Sequence, residues 1–297
     1  MRKVIFSEFG GPEVLRVVDA EEPHAGPGQI RIAVRAAGVN PVDWRIREGQ
    51  RQETHPISLP SGIGQDAAGI VDEIGDGIDG LARGDRVFGR GADTYADHAV
   101  LTSWAPIPGA LTFEEAAGYP SVVETALRAI REVGVLPGET LLISGASGGV
   151  GSAAIQIARS RAIVVIGTGS ARNQQYLGAL GAHATTYDEG WVDRVRSLGQ
   201  VDAALDLSGR GVITELIELT GNPQRVVTIA DLSAPAQGVR FLGVGGDMFA
   251  ALAEATELIG KGLLTIPVDT SYALADAALA QADSQAGHTR GRRVIIL

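Results

Sequence analysis

The stretch Ser144-Gly145-Ala146-Ser147-Gly148-Gly149-Val150-Gly151 follows the apolar run Leu141-Leu142-Ile143 and leads into Ser152-Ala153-Ala154. It reads as a buried strand, a tight glycine turn and an opening helix. A polyanion suits such a place, because the first helical N–H groups and the positive end of the helix dipole both face it. Ala146, Gly148 and Gly151 occupy the three small positions of an A-x-G-x-x-G variant of the dinucleotide fingerprint, which lets the backbone come close to a diphosphate. Glycine is abundant here, at 40 of 297 residues, so the flanking strand and helix carry this reading more than the glycines do.

The following strand tells which dinucleotide. In NAD-binding folds an acidic residue about 20 positions past the turn ends that strand and binds the ribose 2′-hydroxyl. Here the strand ends Val165-Ile166-Gly167-Thr168-Gly169-Ser170-Ala171-Arg172, with no carboxylate. Ser170 can donate a hydrogen bond to a 2′-phosphate and Arg172 a charge-assisted one, which points to NADP(H) over NAD(H). Ser170 also reads as a cap for the next helix and Arg172 as a solvated side chain; these roles can coexist.

Composition bounds the rest. A chain of 297 residues accommodates two domains, and 45% apolar residues supply a substantial core. No apolar run reaches the roughly 18 residues of a membrane span. Met1-Arg2-Lys3-Val4-Ile5-Phe6 reads as a first strand rather than a signal peptide, so a cytoplasmic location is expected. Cysteine is absent, which removes disulfides, thiol nucleophiles and cysteine-bearing zinc sites. The histidines His24, His55, His98, His183 and His288 lack close spacing and read as surface or packing residues, so no metal is expected. A net charge of −10, with all basic residues but Lys3 and Lys261 being arginine, disfavours nucleic-acid and anionic-membrane partners.

Residues 1 to about 120 hold short β-like runs (Val14–Val18, Ile30–Ala36, Gly69–Ile74, Asp85–Gly89) punctuated by Gly and Pro, as in an all-β, barrel-like unit. Thr112 then reads as an N-cap with Glu114 and Glu115 in the first turn, and a helical pattern runs from Ser121 to Val133. Strands and helices alternate afterwards. Thr140–Ser144 feeds Val150–Arg159, Ile163–Gly167 feeds Ala171–Leu180, and Val201–Leu207 feeds Val212–Leu219, with Arg225–Ile229 a further strand. That alternation is the signature of a parallel, doubly wound sheet. After Phe241–Val244, a helix from about Asp247 to Ile259 ends at Gly260, and Arg292–Leu297 reads as a strand able to rejoin the N-terminal β unit.

With these residues in hand, the chain resembles the zinc-independent, quinone oxidoreductase-like members of the medium-chain dehydrogenase/reductase superfamily, over nearly its whole length. The markers are Gly38-Val39-Asn40-Pro41-Val42-Asp43-Trp44, Gly64-Gln65-Asp66-Ala67-Ala68-Gly69-Ile70-Val71, Gly84-Asp85-Arg86-Val87 and Tyr95-Ala96-Asp97-His98. The glycine turn, Gly178-Ala179-Leu180-Gly181-Ala182 and Gly287-His288-Thr289-Arg290-Gly291-Arg292 complete the set. The resemblance implies an α/β fold: a GroES-like β-rich catalytic domain (1–120 and 261–297) and a Rossmann NADP(H)-binding domain (121–260). The zinc-dependent branch carries a Cys and a Gly-His-Glu motif, where this chain has Gly64-Gln65-Asp66.

The resemblance also implies roles. Asn40 and Thr125 would lie near the nicotinamide. Ser147, Gly148, Gly149 and Val150 would hold the diphosphate, and Thr168, Ser170, Arg172 and Tyr187 would surround the adenosine ribose phosphate. Ser208, Ile229, Ala230, Leu242 and Val244 fall on loops that usually line the cofactor, although Val150, Ile229, Leu242 and Val244 read equally as core. Where relatives carry tyrosine or lysine after Trp44, this chain has Arg45; a second tyrosine is replaced near Arg51, and Glu124 stands at a usually apolar position. Trp44, Arg45 and Arg51 are therefore the expected acceptor-binding residues, while Arg45, Arg47 and Arg51 read equally as a solvated arginine face.

The activity implied is NADPH-dependent, metal-free hydride transfer to a quinone or other α,β-unsaturated carbonyl, with the acceptor held in the cleft between domains. No residue is assigned as catalytic acid. Two further readings stay open: an enoyl-thioester reductase of polyketide or fatty-acyl assembly, and a non-catalytic NADPH-binding sensor. Relatives often pair through the strand near Phe241–Val244, so a homodimer is expected.

Overall fold

A computed structural model describes residues 1–50, 52, 56–109, 111–243, 245–287 and 289–297. The chain divides into two compact units, one of Met1–Ser121, Met248–Gly260 and Ile266–Leu297, the other of Val122–Asp247 and Lys261–Thr265.

The first unit is built on β1 (Arg2–Phe6), β2 (Arg16–Asp19), β3 (Ile30–Val39), helix α1 (Pro41–Arg47), β4 (Ser61–Gly62), β5 (Asp66–Ile74), β6 (Arg86–Ala92) and β7 (His98–Pro106), followed by helix α2 (Phe113–Ala117). The first half of β3 alternates, burying Ile30, Ile32 and Val34 on one face. Beyond Ala36 both faces are covered and the apolar run becomes continuous. Antiparallel partners β5 and β7 flank it, with two register irregularities in the β5 pairing. Gly89 in β6 permits close strand packing, since a Cβ there would lie 2.0 Å from the Ser103 carbonyl oxygen. As anticipated, Thr112 caps α2: its hydroxyl accepts from the Glu115 N–H and the Glu115 carboxylate accepts from the Thr112 N–H.

The second unit begins within α3 (Pro120–Val133) and continues through β8 (Thr140–Ser144), α4 (Gly149–Ser160), β9 (Val164–Gly169), α5 (Gln174–Ala179), β10 (His183–Thr186), α6 (Trp191–Leu198), β11 (Ala203–Asp206), α7 (Ile213–Thr220), β12 (Val226–Thr228) and β13 (Arg240–Phe241). Its sheet has the order β10-β9-β8-β11-β12-β13, every pairing parallel. This is the doubly wound arrangement expected from the alternation. Two elements, β10 and α6, carry no clear sequence signal. His183-Ala184-Thr185-Thr186 is short and polar, and α6 fully buries only Val195; both form because β9 offers an unpaired edge and α6 covers the flank.

Helix α8 (Met248–Gly260) sits differently from the sequence reading, which grouped it with the parallel sheet. It clusters with the β-rich unit, where Phe249 meets Trp104 of β7 edge-on at 5.3 Å. The apolar residues Met248, Ala251, Leu252, Ala255, Leu258 and Ile259 decide its docking face. Finally β14 (Val268–Ala273), α9 (Ala277–Ala286) and β15 (Arg292–Ile296) close the β-rich unit. The last strand pairs antiparallel with β3 and parallel with β14, so the chain's end rejoins its beginning as expected.

Everything the glycine turn does depends on how closely α4 approaches β8. A Cβ at Gly151 would lie 2.5 Å from the Ala146 carbonyl oxygen, inside any real contact distance. Gly151→Ala is expected to destabilise the second unit by about 1–3 kcal/mol, the usual cost of overpacking, read as a lower urea midpoint. An unchanged midpoint would show that α4 can shift freely.

Candidate functional site

Because the second unit's strands are all parallel, the loops leaving their C-terminal ends share one edge of the sheet. At its centre the chain leaves β8 through Gly145 (φ 81°) and enters α4 behind Gly148, with no side chain capping the helix. The open first-turn N–H groups and the dipole end make this an anion-binding position. Ala146 is buried and its N–H donates to the Thr168 carbonyl oxygen at 3.1 Å, which joins the turn to β9. The Ser147 hydroxyl accepts from the Asn173 amide at 2.9 Å, tying it to the next loop.

Most of the expected cofactor residues come to this edge. Ser147, Gly148, Gly149 and Val150 form the turn and the start of α4; Ser170 and Arg172 follow β9; Tyr187 follows β10; Ser208 follows β11; Ile229 and Ala230 follow β12; Leu242 follows β13. Ile229, Leu242 and Val150 are only partly buried. Thr168 is 2% exposed inside β9, and its carbonyl rather than its hydroxyl meets the turn. Thr125 lies on α3 in the same unit, whereas Asn40 belongs to the β-rich unit. Val244 and Arg51 lie outside the described residues.

Ser170 is informative. Its backbone stands at the N-cap of the short 3-10 turn Ala171–Asn173, yet its side chain makes no capping bond. The hydroxyl is instead buried without a hydrogen-bond partner. Such an orphan inside a protein calls for a ligand or a water. Ser208, by contrast, is committed internally: its hydroxyl donates to Asp206 at 2.9 Å, lies 2.9 Å from that of Ser144 and accepts from the Arg210 N–H.

Sequence reasoning missed what shapes these loops. Asp206 is fully buried at the end of β11. One carboxylate oxygen accepts from the Ser208 N–H (3.0 Å) and Gly209 N–H (3.1 Å) besides the Ser208 hydroxyl, and the other accepts from the Thr228 hydroxyl at 2.8 Å. Thr228 in turn accepts from the N–H groups of Ala230 and Asp231. An Asp ending an apolar run before Ser-Gly is a turn signal that would have revealed it. Nothing in the sequence announces that Arg210 lies over the Tyr187 ring at 4.6 Å.

The β-rich unit carries its own buried polar cluster. Asp66 accepts from the Asn40 amide (2.9 Å), the Ser121 hydroxyl (2.5 Å) and the Ser121 N–H (3.1 Å). Arg292, 4% exposed, donates to the Asn40 side-chain oxygen at 2.8 Å and stands 3.8 Å from Asp66. Asp43 accepts from the Asn40 N–H at 2.8 Å and from the Tyr95 hydroxyl at 2.9 Å, while its other oxygen is buried without a partner. The carboxamide of Asn40 is therefore held rigidly from both ends. Among the described residues no group of three His, Cys, Asp or Glu side chains is placed to hold a metal ion.

The arginines of α1 divide. Arg45 lies over the Trp44 ring at 5.2 Å. Arg47 corrects the solvated-face reading: it is fully buried, donating to the Gly10 carbonyl oxygen and to the side chains of Gln281, Glu48 and Gln285. Helix α9 packs over α1 and supplies two of those acceptors, which no local pattern around Arg47 reveals. Glu124, unexpected on an apolar face, is buried in a two-point pair with Arg128 one turn on, at 2.7 and 3.2 Å.

Burial pushes the Asp43 carboxyl up to about 7, and neighbouring Asp66 adds to this; the Asn40 N–H, the Tyr95 hydroxyl and Arg292 pull the other way. A carboxyl raised in the folded state holds its proton more tightly there than when unfolded. Its stability cost is absent below about pH 4, grows as pH rises and is complete above about 7. Asp43→Asn removes that slope, so between pH 4 and 7 its stability should gain on the wild type by a few kcal/mol in denaturant titrations. Parallel stability–pH curves would contradict this.

Two family models match parts of this chain. Residues 26–120 match the alcohol dehydrogenase GroES-like domain family, and residues 180–295 match the family described as zinc-binding dehydrogenase. Quinone oxidoreductase of Mus musculus is 31% identical over 100% of this chain and 98% of its own length. The pikromycin polyketide synthase component PikAII of Streptomyces venezuelae is 35% identical over 84% of this chain, which corresponds to 7% of that protein. The structure of Escherichia coli quinone oxidoreductase complexed with NADPH superposes with a TM-score of 0.86 at 27% identity, covering 100% of both chains. The chain belongs to the quinone oxidoreductase-like family of medium-chain dehydrogenases/reductases, an oxidoreductase fold made of a GroES-like unit and a Rossmann unit.

Proposed function

We propose that this protein is an NADP(H)-dependent reductase acting on a quinone or another α,β-unsaturated carbonyl. The observation that carries the reading is the pairing of an uncapped α4 N-terminus with the orphaned Ser170 hydroxyl at the end of a carboxylate-free β9. These residues fit a phosphorylated dinucleotide. At Gly148 even an added Cβ would meet nothing closer than 3.6 Å, so the backbone stands open to a diphosphate. At the end of β9 no negative side chain repels a 2′-phosphate, and Ser170 and Arg172 offer a donor and a cation.

When bound, the nicotinamide supplies the hydride for a two-electron reduction. The chain's own part is positioning. The turn's N–H groups hold the diphosphate, Asp206 and Thr228 keep the neighbouring loops in shape, and Arg292 with Asp66 fixes the Asn40 carboxamide. Tyr95 and Asp43 are fully buried and bonded to each other, so neither serves as proton donor to a substrate. The proton that completes the reduction comes from water. A quinone or enone is already electron-poor and accepts hydride without activation of an alcohol.

A second reading is reduction of an enoyl thioester, favoured by the aligned segment of the polyketide synthase component. The same positioning serves both, because each acceptor takes hydride at an electron-poor carbon. Two-fold association through β13, the edge strand of its sheet, completes the reading.

Stopped-flow oxidation of NADPH with a quinone, an enone and an enoyl thioester tests the activity; no acceptor-dependent oxidation would leave only a nucleotide-binding protein. Arg172→Ala should lower the preference for NADPH over NADH by about tenfold or more, as for loss of a charge-assisted hydrogen bond. An unchanged preference would remove Arg172 from the 2′-phosphate site.

A further inference from the structure

The segment that leads from β13 to α8 is rich in glycine, and Gly243, Gly245 and Gly246 are all exposed. Glycine keeps the most backbone freedom and brings no side chain to pack. The start of the segment is tied down, because the Leu242 N–H donates to the Thr228 carbonyl oxygen at 2.8 Å. A Cβ added at Gly243 or Gly245 would meet nothing within 4 Å. At Gly246 the surroundings change. A Cβ there would fall on Oε1 of Glu124, 2.8 Å from Cδ of the same carboxylate and 3.4 Å from Arg128 Nε. Gly246 also has φ 109°, a conformation that favours glycine. Its backbone therefore rests on the Glu124–Arg128 pair.

Helix α3 backs this strand and loop at two places. Near its C-terminal end, Glu132 accepts from Arg240 of β13 through its carbonyl oxygen at 2.8 Å and its carboxylate at 2.9 Å. Glu124 stands eight residues earlier, about 12 Å along the helix, and meets Gly246. An apolar residue at 124 would fill space yet leave a segment without side chains free to slide over it. A carboxylate gripped at two points by Arg128 presents one oxygen at one place. Apolar packing stabilises a core at least as well as a buried ion pair does, so the contribution of this pair lies in position rather than stability.

The direction of a bound dinucleotide says what the segment meets. With the diphosphate on the α4 turn and the 2′-phosphate at the end of β9, the adenosine half lies toward β10. The nicotinamide half then runs the other way, past β11 and β12 toward β13, in the sheet order β10-β9-β8-β11-β12-β13. We infer that Glu124 and Arg128 are positioning residues that seat the backbone of residues 245–247 against the nicotinamide half of the cofactor. This rests on the dinucleotide reading above and extends it to a pair on α3 that acts through the loop. Ordering the segment beforehand removes the entropy that the cofactor would otherwise lose in ordering it.

Calorimetric titration of the full chain with NADPH and with 2′-phospho-ADP-ribose, which lacks the nicotinamide, separates a seat from a general support. Combining Glu124→Leu with Arg128→Leu removes the pair without leaving either charge buried alone, and a melting curve reports its folding. This double variant should bind NADPH about tenfold more weakly, the equivalent of fixing about one more residue's backbone on binding. Its affinity for 2′-phospho-ADP-ribose should stay unchanged. Gly246→Ala disturbs the same contact from the loop's side and should give the same split. Wild-type NADPH affinity in either variant overturns the seat and leaves the dinucleotide reading intact. An equal loss for both ligands overturns it too, by showing that the pair supports the whole unit. A wild-type chain that binds neither ligand overturns the dinucleotide reading, and the seat with it.

Discussion

The approach of α4 to β8 is the constraint on which the second unit's chemistry depends. Gly151 has no room for a side chain against Ala146, so the helix starts directly where the strand ends. That leaves the first-turn N–H groups facing outward with no side chain to satisfy them. The same closeness seats Ala146 against β9 through its bond to Thr168, which brings Ser170 alongside the turn. A buried carboxylate, Asp206, then orders the loop on the other side. Backbone donors, an orphaned hydroxyl and two shaped loops thus converge on one edge through packing rather than through any single catalytic side chain.

The β-rich unit resolves a different problem, that of buried charge. Asp43, Asp66 and Arg292 all lie out of reach of solvent, and unpaired charges there would be prohibitive. Arg292 offsets Asp66 and bonds Asn40, while Asp43 accepts from the backbone and from Tyr95. One carboxylate oxygen of Asp43 remains unmatched, and burial raises its carboxyl to about 7. Burial also pulls the Arg292 guanidinium down from its usual range. The arrangement fixes the side chain of Asn40 more tightly than any exposed position would, and it does so with residues from β5 and β15, the last strand of the unit.

What was legible in the sequence was local. The strand–turn–helix at Leu141–Ala154, the alternation that follows, the Thr112 cap and the missing carboxylate after β9 each rest on neighbours within a few residues. What was illegible depends on distant partners. Asn40 and Arg292 stand 252 positions apart, and Arg47 finds Gln281 a further 234 positions along the chain. A run of arginines on α1 therefore looked like a solvated face until α9 covered one of them. Strand β10 is too short and polar to show a period of two, and it exists because β9 has a free edge. The docking side of α8 likewise follows from which apolar surface met β7, a choice that its own periodicity does not record.

The most direct measurement is the response of the Gly148, Gly149, Val150 and Gly151 backbone amides to NADPH, followed by nitrogen–proton correlation spectroscopy on the folded chain. Saturable shifts in these four signals, accompanied by those of Ser147 and Ser170, are expected if the open turn of α4 grips the diphosphate. Signals that stay in place while NADPH is added to millimolar excess would contradict it.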